Sequence, residues 1–179
     1  MTTIANIQGN IMEGGGKKTD GLFSNALLEK RVVLPITEIN SDLDTNLLNF
    51  IKKRVDGKCI EEGWVLSSSI SIEQYSTGVL TGSGVEFIVI FRCKICCPVE
   101  GMILNATISD ITKAGVHAFA LAENGEKPLN LYILRDHEYL HPLFSDETKM
   151  KRNAPITVKI VGIRYELNDP SIHAIAEFV

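Results

Sequence analysis

No apolar run in the chain reaches the ~18 residues needed to cross a bilayer, so a membrane-spanning helix is excluded. The N-terminus also lacks the basic region followed by an apolar core that a secretory signal requires. The four cysteines are therefore expected as free thiols in a reducing compartment. A basic surplus is missing as well. Net charge is −4, with 10 basic against 11 acidic residues up to Pro98 and 8 against 11 beyond it. Affinity for nucleic acid built on phosphate neutralisation would need a basic excess on the binding module, and neither half carries one.

What is present reads as an ordinary soluble protein, 45% hydrophobic and 22% charged. Its 179 residues suffice for one medium domain or two small ones. Small units bury a core only marginally, so two of them would lean on each other or on a partner.

The pattern favours two. The alternating stretch Glu86 to Cys97 runs through Pro98-Val99-Glu100-Gly101 into a second strand, Met102 to Ile108. Two β-rich units joined almost strand to strand make a stiff rod. Residues 1–21 hold Gly14-Gly15-Gly16 and scattered apolar side chains, which suits a flexible extension.

Leu27 to Pro35 reads as a first strand. Ser41 is a candidate N-cap, and Leu43, Leu47, Leu48, Ile51 and Val55 then share one helical face. Lys52, Lys53 and Arg54 suit the helix C-terminus, and Gly57 ends it. Cys59 to Ile72 reads as one long strand bent at Gly63, followed by a glycine-rich loop from Ser76 to Gly84. After Gly101 come strands to Ile108, through Ala122, from Leu129 to Leu134, from Ile156 to Glu166 and from Ser171 to Phe178. A turn at Lys113-Ala114-Gly115, a polar hairpin at Glu123 to Lys127 and a short helical turn after Leu134 punctuate them. Five strands with a helical turn after the third describe an OB barrel.

Two motifs tempt toward metal chemistry. His137-Glu138-Tyr139-Leu140-His141 matches H-E-x-x-H, whose chemistry needs both histidines on one helical face and a third ligand from elsewhere. Pro142 biases His141 away from helix, and the preceding segment is barely more than a turn, so a surface turn is expected instead of a zinc hydrolase. Cys93-Lys94-Ile95-Cys96-Cys97 contains a C-x-x-C, but strand alternation sends Cys96 to the face opposite Cys93 and Cys97. Burial of Cys93 and Cys97 beside Phe87, Val89, Phe91 and Ile95 is the simpler fate. No metal and no cofactor are expected.

Gly57-Lys58-Cys59, Gly63-Trp64-Val65-Leu66, Gly78-Val79-Leu80, Val85-Glu86-Phe87, Pro98-Val99-Glu100-Gly101 and Ser171-Ile172-His173-Ala174-Ile175 follow one another in a recognisable order. Their order and spacing, from about Leu27 to Phe178, resemble the stalk subunit of multisubunit DNA-dependent RNA polymerases. That family comprises the seventh subunit of eukaryotic RNA polymerase II and its archaeal counterpart, E-prime. The resemblance implies an α+β, mostly β architecture: a truncated RNP-like α/β tip module and then a five-stranded OB barrel. The expected divisions are an extension over 1–21, a polymerase-docking module over 22–98 and the barrel over 99–179.

The resemblance also implies that the loop bearing Val79, Leu80, Thr81, Gly82 and Ser83 inserts into the polymerase core. On the barrel it assigns single-stranded RNA contact to Lys113, His117, Phe119 and Tyr132. Ala114 stands where a first stacking aromatic would be, so one platform is missing. Val116, Ala118 and Ala120 are expected inward, with His117, Phe119 and Leu121 outward.

The implied function is that of a non-catalytic subunit that docks on the core enzyme and guides emerging RNA. Its implied partners are the core subunits, weakly bound nascent RNA and a smaller helical stalk subunit; the short C-terminus, closing at Val179, leaves less chain for that last interface. Missing stacking residues and the added extension fit a specialised polymerase such as that of a large DNA virus. The expected location is an intracellular transcription compartment, nuclear or cytoplasmic, or a virion if the chain is virus-encoded. The alternative is a free-standing OB-fold protein that binds single-stranded RNA in translation or RNA decay, which would have no need of a docking loop.

Overall fold

The computed structural model of the chain describes residues 21–135 and 151–179. Mostly β structure is arranged as a six-stranded antiparallel sheet with one helix, followed by a closed five-stranded barrel. None of the described helices is long and apolar enough to cross a membrane.

The first sheet is organised by β6 (Gly84–Cys96). Along one edge it pairs over its whole length with β1 (Phe23–Leu34), in register from Leu34↔Val85 to Phe23↔Cys96. Three short strands share the other edge: β5 (Val79–Thr81), β4 (Ser71–Tyr75) and β3 (Gly63–Val65), with β2 (Cys59–Ile60) beyond β3. Alternation along β6 sends Phe87, Val89, Phe91, Cys93 and Ile95 to the face covered by helix α1 (Leu43–Val55). The helix answers with Leu47, Ile51 and Val55, spaced four apart and each about 1% exposed or less.

Three local expectations need correction. Asp42, rather than Ser41, occupies the N-cap position, and its side chain makes no capping bond. Asn40 Oδ1 accepts the Asp42 N–H at 2.9 Å, while Asn46 Nδ2 donates to Glu38 O at 2.7 Å. This side-chain turn tightens the approach and moves the helix start by one residue.

Cys59 to Ile72 is likewise not one strand. It forms a tight β2–β3 hairpin across Glu61-Glu62, turns at Ser68 in the left-handed region (φ 64°) and re-enters the sheet as β4. Gly63 drives the reversal: at φ 135° a Cβ would stand 2.4 Å from Cys96 O, so only glycine lets β3 lie this close to β6.

Cys97 is exposed, whereas Cys96 is buried. The strand ends at Cys96, and the face opposite Cys93 is covered there too, because Cys96 packs with Trp64, Leu66 and barrel residues.

The barrel runs β7 (Ile103–Ile111), β8 (Gly115–Ala120), β9 (Leu129–Leu134), β10 (Pro155–Arg164) and β11 (Ile172–Phe178). Neighbours follow the order β7-β8-β9-β11-β10, and β10 closes back onto β7. Among the described strands only β9 and β11 run parallel; this is OB topology. Small residues fill its centre, with Ala106, Ala118, Ala120, Ala174 and Ala176 all buried among Leu131, Ile133, Val158 and Ile160. Large side chains at all inward positions would not fit so narrow a barrel.

The two sheets share an apolar seam in which Leu22, Cys59, Trp64, Leu66 and Cys96 join the barrel core. Backbone pairing ties it: Cys59 N–H donates to Asp169 O and Asn168 N–H to Cys59 O, both at 2.8 Å. Trp64 Nε1–H donates to Pro170 O at 3.0 Å, and the Tyr165 hydroxyl donates to Glu61 O at 3.1 Å.

Candidate functional site

Two surfaces stand out as candidates, and β6 separates them. Its twelve residue steps, at ~3.3 Å each, put about 40 Å between the start of the strand and the barrel junction.

At the far end, the segment expected as a loop is a β-hairpin: Val79↔Glu86, Leu80↔Val85 and Thr81↔Gly84 pair around a turn at Gly82-Ser83. Thr81 Oγ1 donates to Gly84 O at 3.1 Å and tightens the turn. Gly84 cannot be replaced cheaply, since at φ 152° a Cβ would stand 2.2 Å from Leu34 O. The hairpin is thus pinned to the end of β1, and it holds Val79 and Leu80 62% and 74% exposed. Ile36, just past Leu34 in the turn Ile36–Glu38, is 65% exposed at the same end of the sheet. Sequence reasoning missed Ile36. Its signal was an apolar residue directly after Pro35, at a strand end where polar turn residues are the rule. Three aliphatic side chains in water at one rigid end make a surface suited to burial against another protein.

On the barrel, Val116, Ala118 and Ala120 point inward. His117 is exposed on β8, directly opposite half-buried Tyr132 on β9, with ring centroids 5.0 Å apart and edge to face at 76°. Tyr132 in turn lies 5.9 Å from His173 of β11 at an interplanar angle of 23°, and its hydroxyl is 3.1 Å from His173 Nδ1. His173 was not among the residues expected from sequence; its place beside Tyr132 depends on the parallel β9–β11 pairing. Phe119 is half-buried, and the Lys127 ammonium sits 4.1 Å from its ring centroid, so that face of the ring already has a cation partner. Lys113 is exposed in the β7–β8 turn and joins neither ring cluster.

Beside His117, Asp110 accepts from Arg152 at 2.6 Å and from the Ile111 N–H at 2.9 Å. These bonds, the backbone one first, hold its carboxyl below the usual carboxylate range.

Among the described residues no group of three or more His, Cys, Asp or Glu side chains is placed to hold a metal ion. The H-E-x-x-H segment at His137–His141 lies outside the described residues. The C-x-x-C cysteines are apart, Cys93 in the core under α1 and Cys96 in the seam. Burial first, then Glu62, pushes the Cys93 thiol up to about 12. Burial, then Cys97 and Cys59, does the same for Cys96, and burial, then Asp169, raises Cys59 to about 11. Alkylation of native protein at neutral pH should therefore mark Cys97 and leave the other three unmodified until denaturant is added. Peptide mass spectrometry reads the pattern, and rapid native labelling of Cys96 would contradict the seam.

No family model matches the chain. Among curated proteins it is 23% identical over 155 residues to DNA-directed RNA polymerase II subunit RPB7 of Glycine max, covering 83% of this chain and 88% of that one. It is 24% identical over 169 residues to a putative DNA-directed RNA polymerase subunit of Acanthamoeba polyphaga mimivirus, with 88% and 82% covered. DNA-directed RNA polymerase II subunit 7 of Arabidopsis thaliana is 23% identical over 158 residues, with 81% and 86% covered. In sequence over most of its length, the chain resembles RPB7-like stalk subunits of multisubunit RNA polymerases and a putative RNA polymerase subunit of a mimivirus.

Proposed function

We propose that the chain is a non-catalytic stalk subunit of a DNA-directed RNA polymerase, acting in a nuclear or cytoplasmic transcription compartment. The sheet and helix dock on the core enzyme, and the barrel projects toward emerging RNA. One observation carries the reading most directly: Ile36, Val79 and Leu80 stand exposed at the end of β6 remote from the barrel. Relatives named as polymerase subunits over most of the chain supply the partner. In this reading RNA synthesis itself belongs to other subunits, and a smaller helical stalk protein pairs with this one.

RNA contact would be weak. Near the aromatic face the cations are few, and Arg152 is already held by Asp110. The isolated protein should bind single-stranded RNA at roughly micromolar affinity or weaker, with a shallow salt dependence, because few phosphates are neutralised. A steep salt slope would move the site to a basic cluster of the sequence such as Lys149, Lys151 and Arg152.

Recovery of the tagged protein from its native source, with identification of co-purifying chains, tests the main proposal. Stoichiometric large polymerase subunits are expected. Recovery of the chain with RNA and no polymerase subunits would favour the free-standing RNA-binding protein.

A further inference from the structure

The turn that joins β8 to β9 reaches back from the barrel and clasps the sheet. Glu126 Oε2 accepts the Ser67 N–H at 3.3 Å, and Lys94 Nζ donates to Glu123 Oε2 at 3.3 Å. Ser67 lies just past β3 and Lys94 on β6, so the barrel turn grips two neighbouring parts of the sheet. At its tip stands Asn124-Gly125, the only Asn-Gly pair in the chain, and both residues are exposed. Asn124 belongs to the clasp: its Nδ2 donates to the same Glu126 Oε2 at 2.8 Å, and its Oδ1 accepts the Glu126 N–H at 3.1 Å. We propose that Asn124 is a self-processing deamidation site, latched by Glu126 while the turn clasps the sheet and released when the clasp opens. The proposal is independent of the polymerase reading.

Asparagine is among the thermolabile residues, and a following glycine puts no side chain in the way of the next backbone nitrogen. The Gly125 nitrogen gives up its proton and attacks Cγ of Asn124. An N–Cγ bond forms, the Cγ–Nδ2 bond breaks, and Nδ2 leaves with that proton as ammonia. Water, the one co-reactant, then opens the cyclic imide at either carbonyl and leaves an aspartate or an isoaspartate in place of Asn124. The folded turn holds both partners of the first step. Gly125 N–H is bonded to Ala122 O at 3.0 Å, which keeps its proton, and the carboxamide is tied at both ends to Glu126, which keeps it from swinging over the nitrogen.

The product cannot be latched again. A carboxylate oxygen where Nδ2 stands would face Glu126 Oε2 across the same 2.8 Å with no proton between them, so one of the two like charges must turn away. Glu126 is also the acceptor for the Ser67 N–H, which has no other among the described residues. A change at the turn is therefore passed to the contact between barrel and sheet. The isoaspartate form adds a main-chain carbon as well, which misaligns the 2.9 Å bond from Ala122 N–H to Glu126 O that closes the turn.

Peptide mass spectrometry of the full chain, aged in buffer at neutral pH and in the same buffer with urea, follows the conversion at Asn124. The native chain should convert slowly and the unfolded chain fastest, because unfolding also frees the Gly125 N–H from Ala122 O. Glu126→Ala, with its fold verified by circular dichroism, should convert about 5-fold to 10-fold faster than wild type, the worth of roughly one hydrogen bond. Glu126→Gln keeps an acceptor for Nδ2 and should stay slow. Equal rates in native and unfolded wild type would overturn the latch, and so would a Glu126→Ala rate that is unchanged or lower, the latter because the carboxylate would then be assisting the attack. No conversion even in urea would remove the site itself. Asn124→Asp tests the consequence by hydrogen exchange: the Ser67 amide should exchange about 5-fold faster as its acceptor is driven off, and an unchanged rate there would overturn the link from the turn to the sheet.

Discussion

Replacing both Val79 and Leu80 by Asp should abolish co-purification of the large polymerase subunits while the isolated protein keeps its melting temperature. Both side chains are mostly in water, 62% and 74% exposed, so the fold loses little when they change. In a docked state each would contribute roughly 1.5–3 kcal/mol by burial. A carboxylate forced into the same apolar contact costs at least as much again unless it is paired. The double variant therefore removes at least about 3–6 kcal/mol, a factor of ~10²–10⁴ in affinity. Because Gly82, Ser83 and Gly84 are untouched, the hairpin register survives and the loss reports the surface and not its folding. Ile36→Asp should add to the defect. Intact co-purification by the double variant, with the fold verified by circular dichroism, would sink the docking assignment.

Much of this fold is legible because local periodicity and tertiary burial agree. The four-residue spacing of Leu47, Ile51 and Val55 is the helix face under the sheet, and the two-residue spacing of Phe87, Val89 and Phe91 is the face that receives it. The barrel strands were readable for the same reason: inward alanines and aliphatics alternate with outward polar residues, and Gly115 and Gly125 mark the turns.

What escaped is what chain-distant contacts decide. Cys59 to Ile72 keeps a strand-like pattern through Gly63, so only the closeness of β3 to the Cys96 carbonyl reveals the hairpin. Alternation sorts Cys93 from Cys96 correctly, yet both faces are buried there because the barrel covers the second one. His173 alternates outward between buried Ile172 and Ala174, as its neighbours predict. That it belongs beside Tyr132 follows only from a parallel pairing between strands some forty residues apart.

Trp64→Ala should be the most destabilising substitution at the seam, and its transition should show whether the sheet and the barrel unfold together. The indole is 2% exposed, packs in the cluster that contains the barrel core, and donates its N–H to Pro170 O at 3.0 Å. Truncating a buried Trp costs ~3–5 kcal/mol, a large share of a total that lies at about 5–15 kcal/mol for such a chain. Trp64→Phe separates the contributions: it keeps most of the packing and leaves Pro170 O without this donor, for a loss of about 1–3 kcal/mol. Trp64 is the single tryptophan, so its fluorescence reads the seam directly, while far-ultraviolet circular dichroism reads all the strands. In urea the two signals should change together in the wild-type protein, because the seam is part of the barrel's own core and Cys59 is tied by its backbone to Asn168 and Asp169. Fluorescence that changes well before the circular dichroism would mean that the sheet and barrel come apart while each stays folded. The seam would then be a contact between independent units, and the rigid spacing between the hairpin that carries Val79 and Leu80 and the aromatic face of the barrel would be lost with it.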